Sequence, residues 1–255
     1  LLDSTGNTSY VDSSATQGVH TYYVTAVNSG SESAPSNTVS VTYDTTGPAI
    51  HISTPAVNSY ASGTVTVSGT ITDNLSGIQN NQLVVHLRPV KSDTGSLGGF
   101  LNTLYAPVDA NGNWSVTFDS TAFPDGQYGV TVLANDNAGN SQTASGGASL
   151  KPFTIDNNRP TVSLSSVGST YVTGPTVTIT ASDASGIALM VVHVYNTSNQ
   201  LQTVGCTATA AQRAVGSMTC DLSALAPGTY TIRAGATDNA GKNTTVNTAA
   251  FTITG

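Results

Sequence analysis

Charge is what this sequence has least of. Only 8% of its 255 residues are Asp, Glu, Lys or Arg, against roughly 25% in an ordinary soluble protein. The seven cations are scattered as Arg88, Lys91, Lys151, Arg159, Arg213, Arg233 and Lys242, and the net charge is −7. No basic patch exists to displace counterions from a phosphate backbone, so a nucleic-acid partner is excluded. Long apolar runs are missing too. No stretch approaches the ~18 residues of a membrane-spanning helix, so direct membrane insertion is not expected. Leu1-Leu2-Asp3 begins in mid-pattern with no secretory leader, so the chain reads as a mature or excised part of something longer.

Site motifs are equally sparse. The four histidines (His20, His51, His86, His193) are dispersed and no Cys-x-x-Cys occurs, so zinc spacing is absent. No His lies near a Ser in a nucleophile motif. The carboxylate pairs fall on turn loops open to water, where pKa tuning is hard. Catalysis is not expected. The two cysteines, Cys206 and Cys220, have thirteen residues between them. They read as a disulfide, whose loop would contribute ~3 kcal/mol and whose presence implies an oxidising compartment. Ser, Thr, Asn and Gly fill the place of charge, a composition common in secreted and cell-surface β proteins.

No segment of any length carries a helical period. Period-two alternation runs throughout: Val65, Val67, Ile71; Trp114, Val116, Phe118; Tyr128, Val130, Val132, Ala134; Val177, Ile179, Ala181; Tyr230, Ile232, Ala234, Ala236. Such runs are strands. Turn residues separate them at Asn111-Gly112, Pro124-Asp125-Gly126 and Ala226-Pro227-Gly228. Asp-Asn-Ala-Gly occurs twice, at Asp136–Gly139 and Asp238–Gly241. It marks a repeat. Gly47-Pro48-Ala49-Ile50 to Phe153-Thr154-Ile155-Asp156 aligns with Arg159-Pro160-Thr161-Val162 to Phe251-Thr252-Ile253-Thr254. Within each, a strand runs into Asp73…Ser76-Gly77-Ile78 or Asp183…Ser185-Gly186-Ile187, then reaches Gly-x-Tyr at Gly126 or Gly228. Each repeat has the size of one seven-stranded sandwich, roughly 100 residues. An insertion around Lys91–Leu104, rich in Gly, reads as a surface loop. Gly216 lies near the place of Trp114 in the second repeat, and Cys220 replaces Phe118.

Gly18-Val19-His20-Thr21-Tyr22-Tyr23-Val24, Ser33-Ala34-Pro35 and Val39-Ser40-Val41 resemble the last two strands of a fibronectin type III domain. The family's corner tyrosine would fall at His20, so the corner bond is either lost or made by an imidazole. Asn111-Gly112-Asn113-Trp114-Ser115, Pro124-Asp125-Gly126-Gln127-Tyr128 and Asn135–Asn140 resemble bacterial Ig-like domains of large surface adhesins. The expected fold is all-β, tandem Ig-like and fibronectin III-like β-sandwiches in a rod-like array. The expected division is a partial fibronectin-like segment over 1–45, an Ig-like domain over 46–157 and a second over 158–255. The resemblance implies an extracellular or cell-surface prokaryotic protein.

In an Ig-like sandwich the loop after the second strand and the loop between the last two strands share one end, which also receives the incoming chain. Asp44, Asp73 and Asp136 should therefore converge at one junction, and Asp156, Asp183 and Asp238 at the next. Two readings stand. Three carboxylates with nearby carbonyls make an oxygen-only site suited to Ca²⁺, and some related adhesin repeats hold calcium at such junctions. Alternatively each Asp caps its own turn. The second junction is the weaker metal candidate, because Arg159 could pair with Asp156. Trp114 with Tyr128 could form a sugar platform, although a Trp that begins a strand more often covers the sandwich edge.

Three functions follow. The first is a structural stalk that spaces or displays other domains of the same chain, facing a host or matrix surface. The second is a subunit of a surface filament or layer, with the fibronectin-like segment completed by a neighbouring subunit. The third is an accessory carbohydrate-binding module of a secreted polysaccharide-degrading enzyme. No cofactor is demanded; Ca²⁺ is the one the acidic loops would accept.

Overall fold

The alternating runs do form strands, because one face of each drives burial. Our computed structural model describes residues 5–145 and 152–255; the Leu1-Leu2-Asp3 start and Lys151 lie outside the described residues. Val65, Val67 and Ile71 are buried in strand Thr64–Thr72, and Tyr128, Val130, Val132 and Ala134 in strand Gly126–Asn135. Tyr230, Ile232, Ala234 and Ala236 repeat the pattern in strand Gly228–Asp238. Packing divides the described chain into two compact units. One takes the chain up to Ala56, then Thr66–Thr117, then the stretch from Gly129 through the strand ending at Ser145. The other takes Val57–Val65, Phe118–Tyr128 and Pro152–Gly255.

In the first unit, Gly18–Tyr22 pairs antiparallel with Val39–Tyr43. No described residue before Asp44 is buried. Ala49–Thr54 pairs with Thr64–Thr72, whose other neighbour in the sheet is Asn113–Asp119. Gln82–Pro89 pairs with Asn102–Pro107, and Ser141–Ser145 pairs with the end of Gly126–Asn135. The insertion is the expected surface loop over 91–101, where most residues are exposed, and passes into strand at its end. Asn102–Leu104 belongs to a strand. Val90 bridges Leu97, Gly98 N–H donates to Pro89 O at 2.7 Å and Arg88 Nε donates to Gly98 O at 2.7 Å. These bonds fold part of it back on the preceding strand, which the absence of apolar alternation concealed.

In the second unit, Phe153–Ile155 pairs with Tyr60–Ala61 and with Gly126–Tyr128. The remainder is a sandwich. One sheet orders Thr161–Leu164, Thr176–Ser182 and Ser217–Asp221; the other is centred on Gly228–Asp238 and Ile187–Asn196. Val177, Ile179 and Met218 from the first pack in one core with Met190, Val192, Ile232 and Phe251 from the second. Cys206 and Cys220 are disulfide-bonded, Cα–Cα 5.7 Å. They tie the edge strand Cys206–Thr207 of one sheet to Ser217–Asp221 of the other.

The corner bond recurs with different chemistry. Tyr128 Oη donates to Pro124 O at 2.7 Å, and Tyr230 Oη donates to Ala226 O at 3.0 Å. At the fibronectin-like segment, His20 Nε2 donates to Thr16 O, also four residues upstream. The imidazole takes the tyrosine's part.

Two sequence expectations need correction. A short helix exists, Ala210–Val215. Its signals were local: a capping box of Thr209 and Gln212, and Gly216 in the left-handed conformation at its end. Six residues are too few for a period to register. Gly216 also does not stand in for Trp114. Its carbonyl accepts from Ala181 N–H at 2.9 Å, as Gly112 O accepts from Ile71 N–H at 2.8 Å. Gly216 is therefore the turn glycine, and buried Met218, two residues on as Trp114 is from Gly112, holds the repeat position of Trp114.

Candidate metal centre

The two Asp-Asn-Ala-Gly loops are built alike. Asp136 N–H donates to Asn140 O at 3.0 Å and Asp238 N–H to Lys242 O at 2.9 Å. Each carboxylate accepts the backbone N–H four residues on, Asn140 or Lys242, at 2.8 Å. Gly139 (φ 93°) and Gly241 (φ 83°) close the turns in a conformation that favours glycine. The Asn of the motif is a clamp. Asn137 Nδ2 donates to Ser76 O at 2.8 Å, and Asn239 Nδ2 to Ser185 O at 2.6 Å. Each ties its loop to the Ser-Gly loop beside it. The clamp was not anticipated, although the two-fold recurrence of the tetrapeptide was its signal.

The structure brings Asp44, Asp73 and Asp136 together, each offering a carboxylate oxygen within 4.8 Å of the others. It does the same for Asp156, Asp183 and Asp238. Turn capping is present as well. Asp73 Oδ1 accepts from Leu75 N–H and Gly77 N–H at 3.1 and 2.6 Å. Asp183 Oδ1 accepts from Ser185 N–H and Ser185 Oγ–H, both at 2.7 Å. Oxygen-only clusters with this donor set suit a hard divalent cation such as Ca²⁺, and Asp73 and Asp183 cap their turns through Oδ1 alone.

The electrostatics of the clusters differ. The Thr46 backbone N–H, with Ser76, holds the Asp44 carboxyl below the usual carboxylate range. Burial alone would raise Asp136, but hydrogen bonds from the Asn140 side chain and backbone outweigh it and hold that carboxyl down. Burial pushes Asp156 up, opposed by Ser185 and reinforced by the charge of Asp183. Linkage then gives opposite signs. Asp44 and Asp136 stabilise the fold above the ordinary aspartate value of 3.8 and lose that contribution as pH falls through their lowered values. The favourable contribution of Asp156 is present at acid pH and lost as pH rises through its raised value. In chelator, Asp136→Asn should therefore flatten the acid loss of stability, and Asp156→Asn should raise stability at neutral pH. Melting curves of both variants across pH check this; equal slopes in both would refute the assignment.

Three sequence expectations change here. Arg159 does not pair with Asp156; it is exposed and its Nη1 donates to Asn243 O. The reason for ranking the second junction below the first is gone. Trp114 and Tyr128 are 2% and 4% exposed, so neither presents a ring to a sugar. Trp114 instead lies against Gly69, where a Cβ would stand 2.8 Å from its ring.

A family model described as bacterial Ig-like domain matches residues 66–157 and again 149–254. No curated protein matches the chain. Among solved structures, the fibronectin(III)-like modules of CbhA from Clostridium thermocellum are 15% identical, with 81% of this chain and 94% of that chain covered and a TM-score of 0.46. A tetra-tandem repeat from the extending region of a large adhesion protein is 22% identical, with 94% and 58% covered and a TM-score of 0.36.

Proposed function

The chain belongs to the bacterial Ig-like domain family, in two tandem copies, and from that premise we propose that it is a non-catalytic structural segment of an extracellular or surface protein. It spaces or displays other domains, and at least one of its clusters, Asp44, Asp73, Asp136 or Asp156, Asp183, Asp238, serves a divalent cation, Ca²⁺. The proposed boundaries are a fibronectin-like segment over 1–45 and Ig-like domains over 46–157 and 158–255. One observation carries the reading. The same knot of incoming Asp, Ser-Gly loop and Asp-Asn-Ala-Gly loop is built twice. The chemistry that recurs is where the chain enters each repeat, which is where a load-bearing array needs definition. The Cys206–Cys220 disulfide supports an oxidising, extracellular setting. The partners this implies are other domains of the chain and a host or matrix surface.

A second reading, a subunit of a filament or layer, rests on one sheet face. Register places His20 opposite Val41 and Tyr22 opposite Val39, and Val41 and Val39 are 49% and 53% exposed. Sedimentation and solution scattering of the full chain separate the two. A stalk remains monomeric and elongated at all concentrations. Concentration-dependent growth into polymers would replace the stalk with the filament.

A further inference from the structure

The two clusters share a plan but not a state of satisfaction. In the first, both oxygens of the incoming Asp44 are used: Oδ1 accepts from Thr46 N–H at 3.0 Å and Oδ2 from Ser76 N–H at 3.1 Å. Both oxygens of Asp136 are used: Oδ1 accepts from Asn140 N–H at 2.8 Å and Oδ2 from Asn140 Nδ2 at 2.7 Å. The Asn140 amide also donates to Asp44 O at 3.0 Å. It occupies the space between linker and loop and presents its partial positive charge to both. Asp73 Oδ2 and Ser76 Oγ are the buried oxygens left without a partner here, so one carboxylate oxygen of this cluster is unsatisfied.

The second cluster lacks both of these donors. Asp156 Oδ1 accepts from Asn158 N–H at 3.2 Å, but Oδ2 has no partner. Asp238 Oδ1 accepts from Lys242 N–H, but Oδ2 has no partner. Asp156 is 3% exposed and Asp238 1%, so water does not satisfy these oxygens from outside. Each orphan traces to one sequence difference. The loop Asp183-Ala184-Ser185-Gly186 is one residue shorter than Asp73-Asn74-Leu75-Ser76-Gly77. Ser185 N–H consequently bonds Asp183 of its own loop, where Ser76 N–H reaches the linker Asp. The position of Asn140 is taken by Lys242, whose side chain makes no hydrogen bond or ion pair to the cluster among the described residues. Buried anionic oxygens without donors are costly, and a metal ion is the compact donor that would serve two at once.

We infer that the two clusters divide the work: Asp156, Asp183 and Asp238 form the tight Ca²⁺ site, while the first cluster is closed by the Asn140 amide and the Ser76 N–H acting in place of an ion. Asp156 Oδ2 and Asp238 Oδ2 are the ligand atoms that set affinity, with Asp183 completing the carboxylate set. Lys242 is the position that keeps the site open. The inference rests on the reading that these clusters serve a cation, and it adds which one, and why.

Calcium titration calorimetry on the full, chelator-stripped chain tests it, with thermal melting alongside. The expected result is one ion per chain in the tight phase, accompanied by a rise in melting temperature. Asp238→Asn keeps the Oδ1 acceptor for the turn and should abolish that phase. Asp136→Asn should leave it unchanged. Lys242→Asn, which places an amide where the first cluster has one, should weaken binding about tenfold, the scale of an outer-shell change at a metal site. Two equal ions per chain, or a tight phase lost in Asp136→Asn and retained in Asp238→Asn, would overturn the division of labour and leave the cation reading standing. No heat and no melting shift up to about 1 mM Ca²⁺, the range of extracellular calcium modules, would overturn both.

Discussion

Reduction of the Cys206–Cys220 bond is expected to lower the unfolding temperature of the second Ig-like repeat by about 12–24 °C. The bond closes a loop of sequence separation 14, for which chain entropy in the unfolded state gives ~3 kcal/mol. A sandwich of roughly 100 residues loses about 4–8 °C per kcal/mol. The effect is large because of position. Cys206 lies on an edge strand paired only with Val191 and Val192, and Cys220 is fully buried in the core between the sheets. Calorimetry with and without reductant, with a thiol count showing two free cysteines, measures it. The transition of the first repeat, which has no cysteine, is the internal control. An unchanged second transition after verified reduction would show that the strand is held by its packing alone. Reduction is preferable to a Cys220→Ala variant, which would also leave a cavity.

Gly69→Ala should cost about 3 kcal/mol or more, at the upper end of overpacking effects. A Cβ at Gly69 would stand 1.9 Å from His51 O and 2.8 Å from Trp114 Cζ2. Neither neighbour can yield cheaply. His51 O belongs to the adjacent strand Ala49–Thr54, next to a register shift between Ile52 and Thr54, and the Trp114 ring is buried. Urea unfolding of Gly69→Ala beside Gly99→Ala, where nothing lies within 4 Å, checks the claim. Equal midpoints for the two would mean that the sheet relaxes around the methyl group. Gly69 looks dispensable in sequence, as a break in the alternation Val65, Val67, Ile71. In the folded sheet it is the site where indole and backbone pass over a strand.

Much of the architecture was legible because strand periodicity is a local property. Val177, Ile179 and Ala181 alternate whether or not their partners are known, and the faces they define are the faces buried. The convergence of three Asp per cluster was legible by topology, since an Ig-like connection puts those loops and the entering chain at one end. The short helix, the ordered insertion and the role of Met218 were not. The helix is too short for a period to register, and the insertion turns back through backbone bonds that carry no apolar pattern; only the place of Met218 depends on a partner distant in sequence, Ala181 N–H meeting Gly216 O.

Sequence alone determined the repeat, the strand class and which carboxylates meet. Tertiary structure decided which of their oxygens are satisfied. Asn140 and Lys242 are visible as different letters at one repeat position, but the letters do not say that one amide lies 2.7 Å from Asp136 Oδ2 while nothing reaches Asp238 Oδ2. Hydrogen bonds weaken steeply with distance and angle, so a loop shorter by one residue moves Ser185 N–H from the linker carboxylate to its own loop. That shift, smaller than any pattern in a sequence can express, is what leaves a buried charge in need of a cation.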